Sequence, residues 1–157
     1  MKTKLKGISM EPDKLKHLEF IQNVITRMNI NSFQIKGWAV TIVAATLALY
    51  ASTKNEWFVL VGIIPSVIFW FLDANYLTQE QRFRLLYTDV AGITKHQENL
   101  KPFTMDIDVE PYKKERPFCK AFKSDTIMFL YLTIIVMLTI LFFCLMFINI
   151  NKGVCHG

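Results

Sequence analysis

Three stretches of this chain carry no charge: Gly37 to Thr53, Trp57 to Leu72, and Thr126 to Asn151. A helix needs about 20 mostly apolar residues to cross a bilayer. The third stretch, 26 residues long, meets that alone. The first two need their polar flanks to complete a span. A buried hairpin in a soluble core is the alternative for these two, but tryptophans bracket them as interfacial anchors do. Trp38 and Trp57 open the two blocks, and Trp70 lies one turn before Asp73. The composition agrees, with 52% hydrophobic residues. The expected fold class is an all-α membrane protein with three transmembrane helices, an amphipathic N-terminal helix and a small cytoplasmic helix-plus-strand segment.

The charges predict the orientation. Seven Lys or Arg precede the first block and nine lie between Thr78 and Asp125, whereas the hairpin turn holds Lys54 and the tail Lys152. Sixteen against two places the N-terminus in the cytoplasm and the C-terminus outside. The first apolar block begins late and after many basic residues, unlike a cleavable signal. The first span is therefore expected to remain in the mature protein.

The organisation follows. Residues 1–32 form a cytoplasmic segment. In it Leu15, Leu18, Ile21, Val24, Ile25 and Met28 share one face of a helix that starts at Pro12 and Asp13. That face either lies on the inner leaflet or, as preferred here, packs on a partner subunit. Asn29 to Ser32 are read as an interruption, with Ser32 capping the next helix. Residues 33–77 form a transmembrane hairpin, with spans at about 33–51 and 56–76 and a kink at Pro65. Residues 78–124 are cytoplasmic. Here the second helix runs on to a stop at Gly92, and Phe103, Met105, Ile107 and Val109 alternate with polar residues as a strand does. That strand must pair with 94–100, with 111–118, or with another subunit. The third span covers 125–149, and 150–157 form an outer tail.

No catalytic set, cofactor site or metal site is visible. Cys119, Cys144 and Cys155 show no CxxC spacing, and His17, His96 and His156 lie in separate regions. The stripe of Asp106, Asp108 and Glu110 lacks the glycine and spacing of a calcium loop. Three features remain. Thr41, Ala45, Ala48 and Ser52 share one helical stripe, which either glues the hairpin or lines a pore between several copies. Gly62 and Ser66 form a second small-residue pair. Asp73, at a span end, either marks the interface or joins a ring around the cytoplasmic mouth of a cation path. Arg82, Arg84, Lys113, Lys114 and Arg116 either answer inner-leaflet charge or bind an anionic nucleotide or oligonucleotide.

The run from Trp70 to Glu80 (Trp-Phe-Leu-Asp-Ala-Asn-Tyr-Leu-Thr-Gln-Glu) continues to Phe83-Arg84-Leu85-Leu86-Tyr87. With the segment from Phe20 to Met28, and Ser32-Phe33 through Gly37-Trp38, it resembles a family of small bacterial membrane effectors of anti-phage defence operons, CBASS-like or Hailong-type. The resemblance covers roughly 20–87. It implies an effector that oligomerises and breaches the inner membrane under the control of a partner enzyme's nucleotide signal. The alternative function is a non-conducting anchor that recruits a soluble partner through the amphipathic helix. The expected partners are thus the lipid bilayer, further copies of the chain, and a nucleotide-type signal.

Overall fold

The computed structural model describes residues 11–94 and 103–154. Six helices follow one another: α1 Pro12–Thr53, α2 Trp57–Val61, α3 Ile63–Ala91, α4 Glu110–Glu115, α5 Phe118–Phe122 and α6 Asp125–Val154. Three helical stretches, α1, α2 with α3, and the one containing α6, are long and apolar enough to cross a membrane. The chain is a multi-pass membrane protein. Many apolar side chains of the spans point outward, such as Ile64, Phe71, Phe129, Met137 and Phe143. In lipid this exposure carries no penalty, because hydrocarbon rather than water meets those side chains.

α1 is one continuous helix of 42 residues, about 60 Å long at the α-helical rise. Pro12 and Asp13 occupy its first turn, where a missing N–H and a negative charge are both favoured. It ends where Lys54 enters the left-handed region (φ 57°) and its N–H bonds to the Tyr50 carbonyl. The interruption expected at Asn29 to Ser32 does not occur. None of these four residues is Gly or Pro, so each costs the helix only a few tenths of a kcal/mol. Ser32 turns its hydroxyl sideways to Asp73 instead of capping.

The N-terminal part of α1 is covered within the chain itself. Leu18, Ile21 and Ile25 pack on Phe83, Leu86 and Val90 of α3, with Tyr112 of α4 closing the cluster, while Leu15 of the same face stays exposed. The extension of the second helix past the membrane, expected from the sequence, supplies the surface that covers them. α1 and α3 therefore stay paired beyond their apolar stretches.

The second span breaks at Gly62, three residues before the kink expected at Pro65. Pro65 has no N–H for the Val61 carbonyl, and its ring crowds that carbonyl. The disturbance therefore falls one turn upstream. Gly62 is also a point of close approach, since a Cβ there would lie 2.7 Å from Thr46 Oγ1 and 3.4 Å from Leu138 Cδ1. Ser66 is fully buried one turn later and donates to the Gly62 carbonyl. This small pair brings α1, α3 and α6 together. Beside it Val59, Leu138 and Phe142 form the outer core, and Ala39, Ile127 and Tyr131 form the next one inward.

The described residues contain no strand. Residues 103–109 are irregular, and of these only Ile107 reaches the core formed around Ile21 and Leu86. Neighbouring side chains take the amides that a ladder would use: Asp106 N bonds to Thr104 Oγ1 and Asp108 N to Asp106 Oδ1. Such local bonds compete directly with sheet pairing. The pairing partner proposed at 94–100 lies almost entirely outside the described residues.

Candidate functional site

The two small-residue faces of the hairpin have different fates. Gly62 and Ser66 face inward, as described. The α1 stripe of Thr41, Ala45, Ala48 and Ser52 is exposed on the protomer, as are the adjacent Ala44 and, one turn before Thr41, Gly37. A Cβ built on Gly37 would meet nothing within 4 Å. Gly37 thus continues the stripe of Thr41 and Ala45 toward the N-terminus of α1 at four-residue steps. Thr41 Oγ1 donates to the Gly37 carbonyl, so its lone pairs still face outward.

Asp73 does not share that surface. It is fully buried, and its carboxylate is ion-paired to Lys36 Nζ at 2.7 Å (Oδ2) and 2.9 Å (Oδ1). Ser32 Oγ donates to the same Oδ1, and Lys36 Nζ donates to Ser32 Oγ at 2.7 Å. Asp73 therefore lines no mouth within the protomer; it joins α3 to α1. The Tyr131 hydroxyl of α6 is buried beside Asp73. Its ring stacks on Trp70, and Trp70 stacks in turn on Phe122 of α5 at 4.5 Å and donates its Nε1–H to the Phe122 carbonyl. These contacts gather all three spans and α5 around one polar centre at the charged ends of the first two apolar blocks. An intramembrane ion pair is costly unless each charge is answered. Here Ser32 and Lys36 answer Asp73, and Lys36, about a quarter exposed, retains contact with its surroundings.

The pairing has a readable cause. Lys36 and Asp73 are the first charges met at the same ends of two antiparallel apolar blocks. The tight turn at Lys54 to Glu56 sets the register that brings them level.

The five basic residues separate. Arg82 pairs with Asp108 at 3.0 Å and donates to the Arg116 carbonyl at 3.2 Å, and Lys113 lies 3.7 Å from the same Asp108. Arg84 pairs instead with Glu80 of its own helix, and Lys114 is exposed. Asp108, read from the sequence as part of a solvated strand face, is the hub of the first group. Nearby, Tyr112 donates to Asp89 at 2.7 Å. Burial first, then the Asp89 hydrogen bond, pushes the phenol well above its ordinary pKa. His17 is buried and contacts the Thr104 carbonyl at 2.8 Å, its ring against Phe103. No group of three or more His, Cys, Asp or Glu among the described residues is placed to hold a metal ion.

No protein-family model matches this chain, and neither curated proteins nor solved structures give a significant match.

Proposed function

We propose that this chain is a homo-oligomeric membrane effector. Its copies meet through the Gly37–Ser52 face of α1 and enclose a gated pore across a bacterial inner membrane, with the N-terminus in the cytoplasm. The observation that supports this best is the open stripe. Helices associate in lipid by close approach of small residues rather than by escape from water. Gly62 and Ser66 already serve the hairpin, and the α1 stripe has no occupant among the described residues. A conduit from three spans requires several copies, and the stripe offers Thr41 and Ser52 hydroxyls to its lumen. The excess of Lys and Arg at the N-terminal segment and the second loop supports the orientation. The defence setting, with a nucleotide-type signal as controller, rests on the resemblance described above.

Within this reading the Lys36–Asp73 pair is a brace, not a selectivity ring. It holds α1 to α3 at the membrane edge, so movement of the cytoplasmic helices is transmitted to the pore-lining face. The anchor reading is disfavoured because Leu18, Ile21 and Ile25, the centre of the apolar face that would recruit a partner, are covered by α3.

Ala48→Phe tests the pore. Ala48 is exposed on the protomer, so the larger side chain leaves the folded chain intact. We expect normal insertion and assembly with ion flux from reconstituted vesicles abolished, whereas lost assembly would assign the face to packing alone. Undiminished flux would remove this face from the conduit.

A further inference from the structure

A cavity of about 600 Å³ opens between α1, α3 and the 103–109 segment, within the range of small-ligand sites. Arg27 of α1 and Arg82 of α3 both line it, with Asn75, Gln79, Asp108 and Phe118. The register of the helix pair accounts for this. Arg27 lies nine residues before Lys36 and Arg82 nine residues after Asp73, so the two guanidinium-bearing positions are level on antiparallel helices. Their level is about 14 Å beyond the ion pair toward the cytoplasm. Asn75 is only about 3 Å beyond it. The cavity thus runs from the membrane edge through the headgroup layer.

The two arginines differ in occupancy. Arg27 is exposed and has no hydrogen-bond or ion-pair partner among the described residues. Arg82 is largely buried and holds the carboxylate of Asp108, itself 71% exposed. An exposed carboxylate from an irregular segment thus already sits on the buried guanidinium. A phosphate is the natural competitor, since the planar fork of Arg takes its oxygens in pairs. The polar amides of Asn75 and Gln79 add donors, and Phe118 provides an apolar wall.

The geometry points to this cavity as a binding site for a phosphate-bearing ligand, gripped between Arg27 and Arg82, with Asp108 as the internal placeholder it displaces. The inference deepens the ligand-controlled part of the proposed function and rests on it for the cytoplasmic placement alone. Displacing Asp108 frees the 103–109 segment, which is tied to α1 through His17 and to the cytoplasmic core through Ile107.

The ligand's phosphate comes either from a lipid headgroup or from a soluble compound, and a binding assay separates these. The full chain is placed in phosphatidylcholine nanodiscs, with inorganic pyrophosphate or AMP added as soluble probes. A second arm replaces part of the lipid with phosphatidylglycerol and reads lipid retained on the released protein by native mass spectrometry. Saturable binding in the first arm assigns a soluble ligand, and selective retention in the second assigns a headgroup. In whichever arm binds, Arg27→Gln and Arg82→Gln each weaken it about tenfold or more, as expected for loss of a charge-assisted bond. Asp108→Asn tightens it, and Lys114→Gln, an exposed cation outside the cavity, leaves it nearly unchanged. Arg27 is exposed, so its substitution remains decisive even where Arg82→Gln impairs folding. No binding in either arm, an equal loss from Lys114→Gln, or no gain from Asp108→Asn overturns the site. Because binding rather than flux is read, a chain that binds without conducting refutes the pore, and one that conducts without binding refutes this site.

Discussion

Asp73 carries the largest local electrostatic load in the membrane part of the molecule. Removing its partner Lys36 leaves a fully buried carboxylate without its counter-charge. Lys36→Met should therefore destabilise the protein by about 3–5 kcal/mol, whereas the double change Lys36→Met with Asp73→Leu should recover most of that loss. Thermal unfolding in detergent of the two single variants and the double variant measures the coupling. Additive losses would mean that the two groups do not act as a pair. Gly62 makes a steric claim. Gly62→Ala puts a methyl group against Thr46 and Leu138, and should cost about 1–3 kcal/mol by overpacking. At Tyr112 the claim concerns pH. Its phenol is raised above the ordinary value of 10.0 in the folded chain. Below that value the folded and unfolded forms are both protonated, so its contribution is intact. As pH rises past it, the unfolded chain loses the proton first and stability falls. Tyr112→Phe should remove that alkaline arm of the stability profile while losing about 1 kcal/mol at neutral pH through the broken bond to Asp89.

At the scale of elements, what could be read from the sequence was the chemistry of each segment, and what could not was the identity of its partner. Charge-free length is a local property, so the three spans and the run-on of the second helix to Gly92 were legible. The face of Leu18, Ile21 and Ile25 was legible as apolar, but its covering surface on Phe83, Leu86 and Val90 lies about 60 residues away. Asn29 to Ser32 resembled a boundary because Asn and Ser favour caps. Continuous packing against α3 on both sides overrode that weak preference. The alternation of 103–109 suggested a strand, yet Thr104 and Asp106 take the nearby amides for themselves. Asp73 was singled out without its partner, although Lys36 at the matching end of the hairpin was the available signal. The placement of Ile107 makes a further prediction. Because Ile107 packs on its own subunit's core, Ile107→Asp should loosen the cytoplasmic segment in each protomer, seen as faster proteolysis there. The number of subunits should stay the same, and a lower subunit number would restore this segment as an intersubunit contact.

For the whole molecule, three stacked cores join the spans into one continuous unit. One core ties α1 to α3 and α4, a second ties in α6, and a third closes around Val59. The small-residue face on α1 is left exposed by the contacts among the described residues. Orientation is tested by introducing cysteine at Lys54 or Lys114 in a chain whose native Cys119, Cys144 and Cys155 are replaced. An impermeant thiol reagent applied to intact cells should label the site at Lys54 and leave the site at Lys114 untouched. Self-association through α1 is tested most directly by disulfide cross-linking in the bilayer, in the same background, with cysteine at Ala48 or, as a control on another exposed face, at Ile64. Oxidation should convert the Ala48→Cys chain to covalent dimers and leave the Ile64→Cys chain monomeric. Equal cross-linking at both positions, or none at Ala48, would contradict an assembly built on this face.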